Sequence, residues 1–404
     1  MIEYRPLDED HRKAFSEYVG YGFTPESGPV DFDPTEDDHE RMQLGARRGL
    51  FDTESAADDP LVVCLHHWFD ALVRGDHHPS PGLSMVASPP EHRRKGYVEE
   101  LLARSLAEYR DRGDRFSLLW PFRYRFYRQF GWETASARHA YTCEPSALSF
   151  ARDRLDEAGS FRPVEAEEYE RLASVYDAMA GRYALSIDRS DDWWTHRIFT
   201  GWDDDPYAYV WERGGEPRGY LVYFVEGSWG DRSMRVRDLA FRDTEALLAL
   251  CAYLANHDSQ ISELSFTLPT DVPLRDLATD PEELDCELSN GPMVRLVDAH
   301  ETLPALSYPA ADEESVTLAV EDPLVDWHDD PLRLVVADGT PTCERVPGAD
   351  PDLSLDVGTL SQVVVGYRTA SDLARLGRLD APDDVVATLD RLFPRDQPYV
   401  DTGF

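Results

Sequence analysis

Gly82-Leu83-Ser84-Met85-Val86-Ala87-Ser88-Pro89-Pro90-Glu91-His92-Arg93-Arg94-Lys95-Gly96-Tyr97-Val98 is the stretch on which the fold turns. An apolar run reads as a strand, two prolines end it, and a short basic loop closes on a glycine. Beyond Gly96 the apolar residues Val98, Leu101, Leu102, Leu106 and Tyr109 recur at i, i+3, i+4, i+8 and i+11, one face of a helix. The helix therefore starts near the glycine. Its first amides have no partner inside the helix and carry partial positive charge, and Arg93, Arg94 and Lys95 add full charges beside them. Such a start suits a phosphate, and a glycine lets the backbone approach a bulky diphosphate. An exposed basic helix cap is the plainer reading of an isolated R-x-x-G.

Working outward, Phe116 to Trp120 reads as a strand and leads to Tyr124-Arg125-Phe126-Tyr127-Arg128-Gln129-Phe130-Gly131-Trp132. Upstream, Ile2 to Pro6 reads as a first strand, Asp8 to Tyr18 as a helix and Gly20 to Pro34 as a loop. A helix is expected from Thr35 to Arg47, acidic at its start and basic at its end as the macrodipole favours. Leu61 to Leu65 reads as a buried strand. The pairs His66-His67 and His77-His78 each offer one inward side chain on a strand, so no metal site is expected.

A second pattern starts at Ser160, with strands at Tyr207 to Trp211, Gly219 to Gly227, Ser233 to Phe241 and Ile261 to Leu268 and a helix from Thr244 to Leu254. It echoes the first. Its strand-to-helix turn is Arg242-Asp243-Thr244-Glu245, with no glycine and two acids where a diphosphate would need amides, so this copy is expected to be a scaffold. Asn290-Gly291-Pro292 marks a third boundary. Beyond it Met293 to Ala299 reads as a strand running into a helix, Val316 to Val320 pairs with Leu332 to Ala337, and two helices follow.

Composition bounds the function. The chain has 404 residues, a net charge of −38 and 42% hydrophobic residues, so it folds despite its acid excess. Lysine occurs only at Lys13 and Lys95 among 40 basic residues. Acids in place of lysine repel one another in dilute buffer, whereas at molar salt the screening length falls to about 3 Å. A salt-adapted protein is expected, and nucleic acid is an improbable partner. No stretch approaches a membrane span, the N-terminus has no signal layout, and five cysteines without a C-x-x-C pair fit a reducing, cytoplasmic location.

Arg93-Arg94-Lys95-Gly96-Tyr97-Val98 resembles the acetyl-CoA loop, Q/R-x-x-G-x-G/A, of the GCN5-related N-acetyltransferase (GNAT) superfamily. It matches at Arg93 and Gly96 and departs at Val98, where the family prefers a small residue. A tyrosine followed by F-G-[W/Y], here Tyr127 and Phe130-Gly131-Trp132, resembles the Eis-like (enhanced intracellular survival) branch. The start Met293-Val294-Arg295-Leu296-Val297-Asp298 and the end Asp401-Thr402-Gly403-Phe404 resemble that branch too. The resemblance implies an α+β chain of tandem GNAT-like domains followed by a sterol-carrier-protein-like α/β domain. The expected boundaries are 1–145, 146–288 and 289–404.

It also implies the chemistry: acetyl-CoA as co-substrate, no metal, and transfer to a primary amine of a cationic small molecule or a lysine side chain by direct attack in a ternary complex. Backbone groups of Val86 and Ser88 hold the pantetheine, a bulge there aims an N–H at the thioester oxygen, and Arg93, Arg94, Gly96 and Val98 hold the diphosphate. Tyr127 matches the family's general acid, with Tyr124 as its rival; a phenol near pKa 10 against a thiol near 8.5 costs roughly 2 kcal/mol. In the branch the terminal carboxylate, here of Phe404, serves as base. Near pKa 3.5 it is weak toward an ammonium near 10, so burial must raise it, or water must intervene, or the pocket must lower the amine. Phe23 and Met85 are expected to line the amine pocket with Phe32, and the branch assembles as a homo-hexamer. A non-catalytic acetyl-CoA sensor and a lipid- or ligand-binding module are the alternatives.

Overall fold

The computed structural model describes residues 1–33, 40–155, 159–309 and 313–404. They form two compact units, one of residues 1–135, 292–398 and 403–404, the other of residues 136–291 and 399–402. The consecutive segments 1–145, 146–288 and 289–404 expected from the sequence cut across this grouping.

The first unit is built on a seven-stranded sheet in the order Ile2–Pro6, Ala46–Asp52, Val62–His67, Gly82–Ala87, Phe116–Leu119, Met293–Leu296, Glu133–Thr134. Every neighbouring pair is antiparallel except Gly82–Ala87 with Phe116–Leu119. A parallel pair needs a crossover, and the helix Tyr97–Arg112 supplies it. Leu101, Leu102, Leu106 and Tyr109 are fully buried on the face their spacing predicts, and Val98 packs at its edge. Each such side chain contributes about 2 kcal/mol of burial. Left-handed Gly96 and Gly113 bound the helix at its two ends.

Several segments differ from expectation: the first helix, Arg12–Phe23, runs through the start of the loop expected from Gly20, and Asp70–Val73 pairs with Asp76–Pro79 as a hairpin. Residues 46–52, whose start was to be the basic end of a helix, form a strand, and a four-residue helix Glu40–Gln43 precedes it. Leu50 and Phe51 are buried in the sheet and Arg48 pairs with Glu108, so tertiary packing decides the conformation of this segment. Residues 35–39 of the expected helix lie outside the described residues.

The first unit also holds a four-stranded sheet, Thr340–Arg345, Leu332–Ala337, Glu314–Glu321, Leu353–Asp356, with helices Val357–Val364, Ala370–Arg375 and Asp383–Leu392. Leu318 faces Leu332 as the alternation of both strands requires.

The second unit repeats the seven-stranded plan: Ser160–Pro163, Tyr207–Arg213, Glu216–Ser228, Asp231–Phe241, Glu263–Pro269, Ala137–Cys143, Asp285–Asn290. Its one parallel pair, Asp231–Phe241 with Glu263–Pro269, is crossed by helix Thr244–Ala255. The two copies exchange strands: Ala137–Cys143 follows the first copy in sequence and joins the second sheet, while Met293–Leu296 follows the second copy and completes the first.

Candidate active site

The parallel strands of the first unit pair only at Gly82 with Leu118 and Leu83 with Leu119. Past Leu83 that ladder ends. On its other side, Val63 faces Ala87 and Leu65 faces Ser84, so Met85 and Val86 together oppose Cys64. This is a β-bulge, and Met85 takes φ +52°, the left-handed conformation a bulge can demand. Backbone groups around Val86 are thereby turned out of the ladder.

A cleft of ≈ 730 Å³ opens there. Val86, Ser88, Arg93, Arg94, Gly96 and Val98, the six residues expected to hold a coenzyme, all line it. Arg94 (φ +59°) and Gly96 (φ +85°) are both left-handed, a curl that turns successive N–H groups to one side and forms an anion-binding concavity. The first helical bond runs from the Glu100 N–H to the Gly96 carbonyl, 3.0 Å, and the amides ahead of it fall outside the ladder. A Cβ at Gly96 would meet nothing within 4 Å, so the backbone angle and the open face of the loop, not packing, call for glycine. Arg93 donates from Nε to the Ser88 carbonyl at 2.9 Å and lies 5.2 Å over the Tyr21 ring, which fixes it as part of the wall.

The cleft also takes in Phe122, Arg123, Phe126, Gln129 and Phe130. None of these was expected to form a binding surface, although Phe122, Phe126 and Phe130 are spaced four apart, as on one face of a helix. Arg123 brings a fourth cation to a cleft that already holds Arg93 and Arg94 on its lining and Lys95 in its loop.

Tyr127 is 5% exposed and lies behind this lining. Its ring packs edge-on to Phe122 (5.7 Å), Phe126 (5.1 Å) and Trp132 (6.4 Å). Burial pushes its phenol above the usual tyrosine range, with the Cys64 thiol adding to the rise. Tyr124 is partly buried against the same core. Beneath them His66 is enclosed, its Nε2 3.2 Å from Cys64 Sγ and 3.3 Å from Ser105 Oγ. Desolvation lowers its pKa to about 3, so the ring is neutral.

Two expected acceptor-pocket residues part company. Phe23, 53% exposed, lines the cleft, whereas Met85 packs onto the Phe15, Val63, Leu65 and Ala87 cluster. Phe404 is seated at the start of the strand that carries the bulge. Its ring meets Phe69 at 5.2 Å and His67 at 6.0 Å, both edge-on. A Cβ on Gly82 would come 2.7 Å from Phe404 Cε2, so glycine is what lets the ring in. From Gly82 to Val86 the strand rises about 13 Å.

In the second unit the matching helix start is filled from within. Asp243 caps Thr244–Ala255 by accepting from the Ala246 N–H at 2.9 Å, and Arg218 pairs with the same carboxylate. The last residues of that unit are tied down as well. Asp401 accepts from Thr267 Oγ1 at 2.7 Å and pairs with Arg138, and Arg189, buried with Asp238 at 2.7 Å, donates to Thr402 Oγ1 at 2.8 Å. Among the described residues no group of three His, Cys, Asp or Glu is placed to hold a metal, and no helix is long and apolar enough to cross a membrane.

Comparison with known proteins gives three matches along the chain. Residues 3–135 and 185–296 each match families described as acetyltransferase (GNAT) domain, and residues 299–401 match the sterol carrier protein domain. An uncharacterized N-acetyltransferase of Streptomyces avermitilis is 25% identical over 336 residues, 77% of each chain. N-acetyltransferase Eis of Mycobacterium tuberculosis is 27% identical over 341 residues, 81% of this chain and 80% of its own. The crystal structure of Eis1 from Mycobacterium abscessus covers 100% of both chains with a TM-score of 0.76 at 24% identity.

Proposed function

We propose that this chain of two GNAT domains and a sterol-carrier-like domain is an N-acetyltransferase that moves the acetyl group of acetyl-CoA directly onto a primary amine of a cationic small molecule or a lysine side chain, with donor and acceptor bound together. The observation that carries this is the convergence on one cleft of the bulged strand, the left-handed Gly96 helix start and the cations Arg93, Arg94 and Arg123.

The residues present fit the coenzyme. The amides of the 95–99 turn and the Arg94 guanidinium receive the diphosphate, and the backbone of Val86 and Ser88 lies beside the extended pantetheine. In a protein of net charge −38 a local group of cations is needed to admit so anionic a molecule. The same surface charge of the protein as a whole attracts a cationic acceptor.

The N–H groups freed by the bulge stabilise the oxygen of the thioester carbonyl as the amine attacks. The acceptor attacks as the neutral amine: a C–N bond forms and the C–S bond breaks, one proton leaves the acceptor nitrogen and one must reach the departing sulfur. Tyr127 supplies the second. Its raised pKa keeps it protonated across the working range and makes it a weaker acid, so it acts on a sulfur already well charged. The Phe404 carboxylate takes the first proton, through water or from an amine whose pKa the pocket has lowered. Its ring, held between Gly82 and Phe69, anchors it.

The identity to N-acetyltransferase Eis supports placing the chain in the Eis-like branch. A homo-hexamer and three domains bounded near 145 and 288 go with that placement as parts of the proposal, and the Asp243 cap on the second copy's helix start supports its role as scaffold. The acid-rich, lysine-poor composition supports a cytoplasmic setting of high salt. The role of Tyr127 is tested by Tyr127→Phe, expected to lower kcat on a diamine by about 100-fold, with acetyl-CoA affinity kept. An unchanged kcat removes Tyr127 from the mechanism.

A further inference from the structure

Arg295 lies on the strand Met293–Leu296 and is fully buried. Its Nη1 donates to the Phe130 carbonyl and its Nη2 to Asp322 at 2.6 Å. Asp322 also accepts from His328 Nδ1 at 2.8 Å, and His328 Nε2 accepts from the Ala299 N–H at 3.0 Å, which places the ring proton on Nδ1. A buried ion pair is a weak source of stability, since apolar residues of the same volume do as well. What this one grips is therefore informative.

Phe130 belongs to the turn that follows Tyr127. The Tyr127 carbonyl accepts from the Phe130 N–H at 3.0 Å and from the Trp132 N–H at 3.3 Å. Arg295 holds the Phe130 carbonyl of that turn, and its guanidinium carbon sits 5.2 Å from the centre of the Trp132 ring, the ring on which Tyr127 packs. Gly131, at φ +86°, passes so close that a Cβ there would overlap Arg295 Nη1 and a Val357 methyl. The glycine of the F-G-W motif is thus required by Arg295 as well as by the turn. Phe130 also lines the cleft.

We propose that Arg295 is a positioning residue for acetyl transfer: by holding the Phe130 carbonyl and the Trp132 ring it fixes the Tyr127 phenol and one wall of the coenzyme cleft. The segment after residue 292 then belongs to the catalytic apparatus. The inference rests on the general-acid role of Tyr127.

Arg295→Lys tests it. A lysine keeps the charge but has a single ammonium and cannot fork between the Phe130 carbonyl and Asp322. In a variant shown by circular dichroism to be folded, kcat falls about tenfold or more, as expected of a misplaced catalytic group, while KM for the amine changes less than about twofold. The effect disappears in a Tyr127→Phe background, where the double variant is no slower than Tyr127→Phe alone. Asp322→Asn, isosteric and acting on the other arm of the fork, gives the same pattern and serves where Arg295→Lys does not fold. Folded variants with wild-type kcat, or losses that multiply with that of Tyr127→Phe, overturn the proposal. A Tyr127→Phe enzyme of full activity overturns the premise instead, and is seen in the same series.

Discussion

Replacing Gly96 by alanine separates the cost to the fold from the cost to the ligand. Gly96 has φ +85° and ψ −5°, and a Cβ there meets no atom within 4 Å. The fold therefore loses only backbone energy. Left-handed geometry costs an alanine about 1–2 kcal/mol, and the stiffer unfolded chain returns about 0.4–1 kcal/mol. A net loss of about 1 kcal/mol lowers Tm by about 2–4 °C, the shift for a domain of 150–250 residues. Gly113, at the other end of the same helix, has φ +82° and equally open surroundings, so Gly113→Ala carries the same penalty away from the cleft. With a diphosphate on the loop, the methyl added at position 96 stands between it and the amides. Losing one charge-assisted hydrogen bond costs about 1.5–3 kcal/mol, which raises Kd by roughly 10- to 100-fold. Calorimetric titration with acetyl-CoA and thermal denaturation of both variants read the two quantities. Equal Tm shifts with a weakened Kd in Gly96→Ala alone are predicted; an unchanged Kd in both would falsify the placement of the diphosphate.

Three further outcomes follow from the packing. His66, driven to about 3 by burial, stays neutral when folded and takes a proton near its ordinary value of 6.5 when unfolded. Its contribution to stability is therefore complete above pH 6.5 and is lost as pH falls toward 3, by about 1.4 kcal/mol per pH unit. Asp114, raised to about 6 by burial, acts with the opposite sign between 3.8 and 6, so the difference between wild type and His66→Gln in urea midpoints isolates the histidine. A parallel pH dependence in the two proteins excludes it. Gly82→Ala pushes on the Phe404 ring and is expected to reduce kcat/KM for the amine about tenfold with acetyl-CoA affinity intact, since one misplaced group costs that much; equal losses in both contradict the seat of Phe404. Raising KCl from dilute to molar screens the net charge of −38 and should raise Tm. A flat or falling Tm contradicts salt adaptation.

The helix Tyr97–Arg112 and the loop before it were legible because their information is local: an apolar stripe of period 3.6 and a glycine at a basic turn. The strand exchange was not. The strand Ala137–Cys143 was not expected, and its partners Glu263–Pro269 and Asp285–Asn290 lie more than a hundred residues away. The segment 46–52 failed for a related reason. Its arginines suit a helix end, but Arg48 is held by Glu108 from a distant helix and Leu50 by the sheet core. Buried charges such as Arg295 and Glu133 look like surface residues in a chain so rich in charge; their partners Asp322 and Arg378 are identified only by the fold. The bulge near Val86 was expected from the family resemblance alone, while the left-handed Met85 and the seat of Phe404 on Gly82 are products of tertiary packing.

Thiol release from acetyl-CoA reports amine acetylation without intermediates. The assay runs in molar KCl with a panel of diamines and polyamines, a no-amine control to correct for the five cysteines of the chain, and a variant extended by one glycine after Phe404. Amine-dependent release that the extension abolishes is predicted. Release that ignores the extension would discard the carboxylate base and keep the transfer, and tight binding of acetyl-CoA with no release for any amine would contradict amine acetylation.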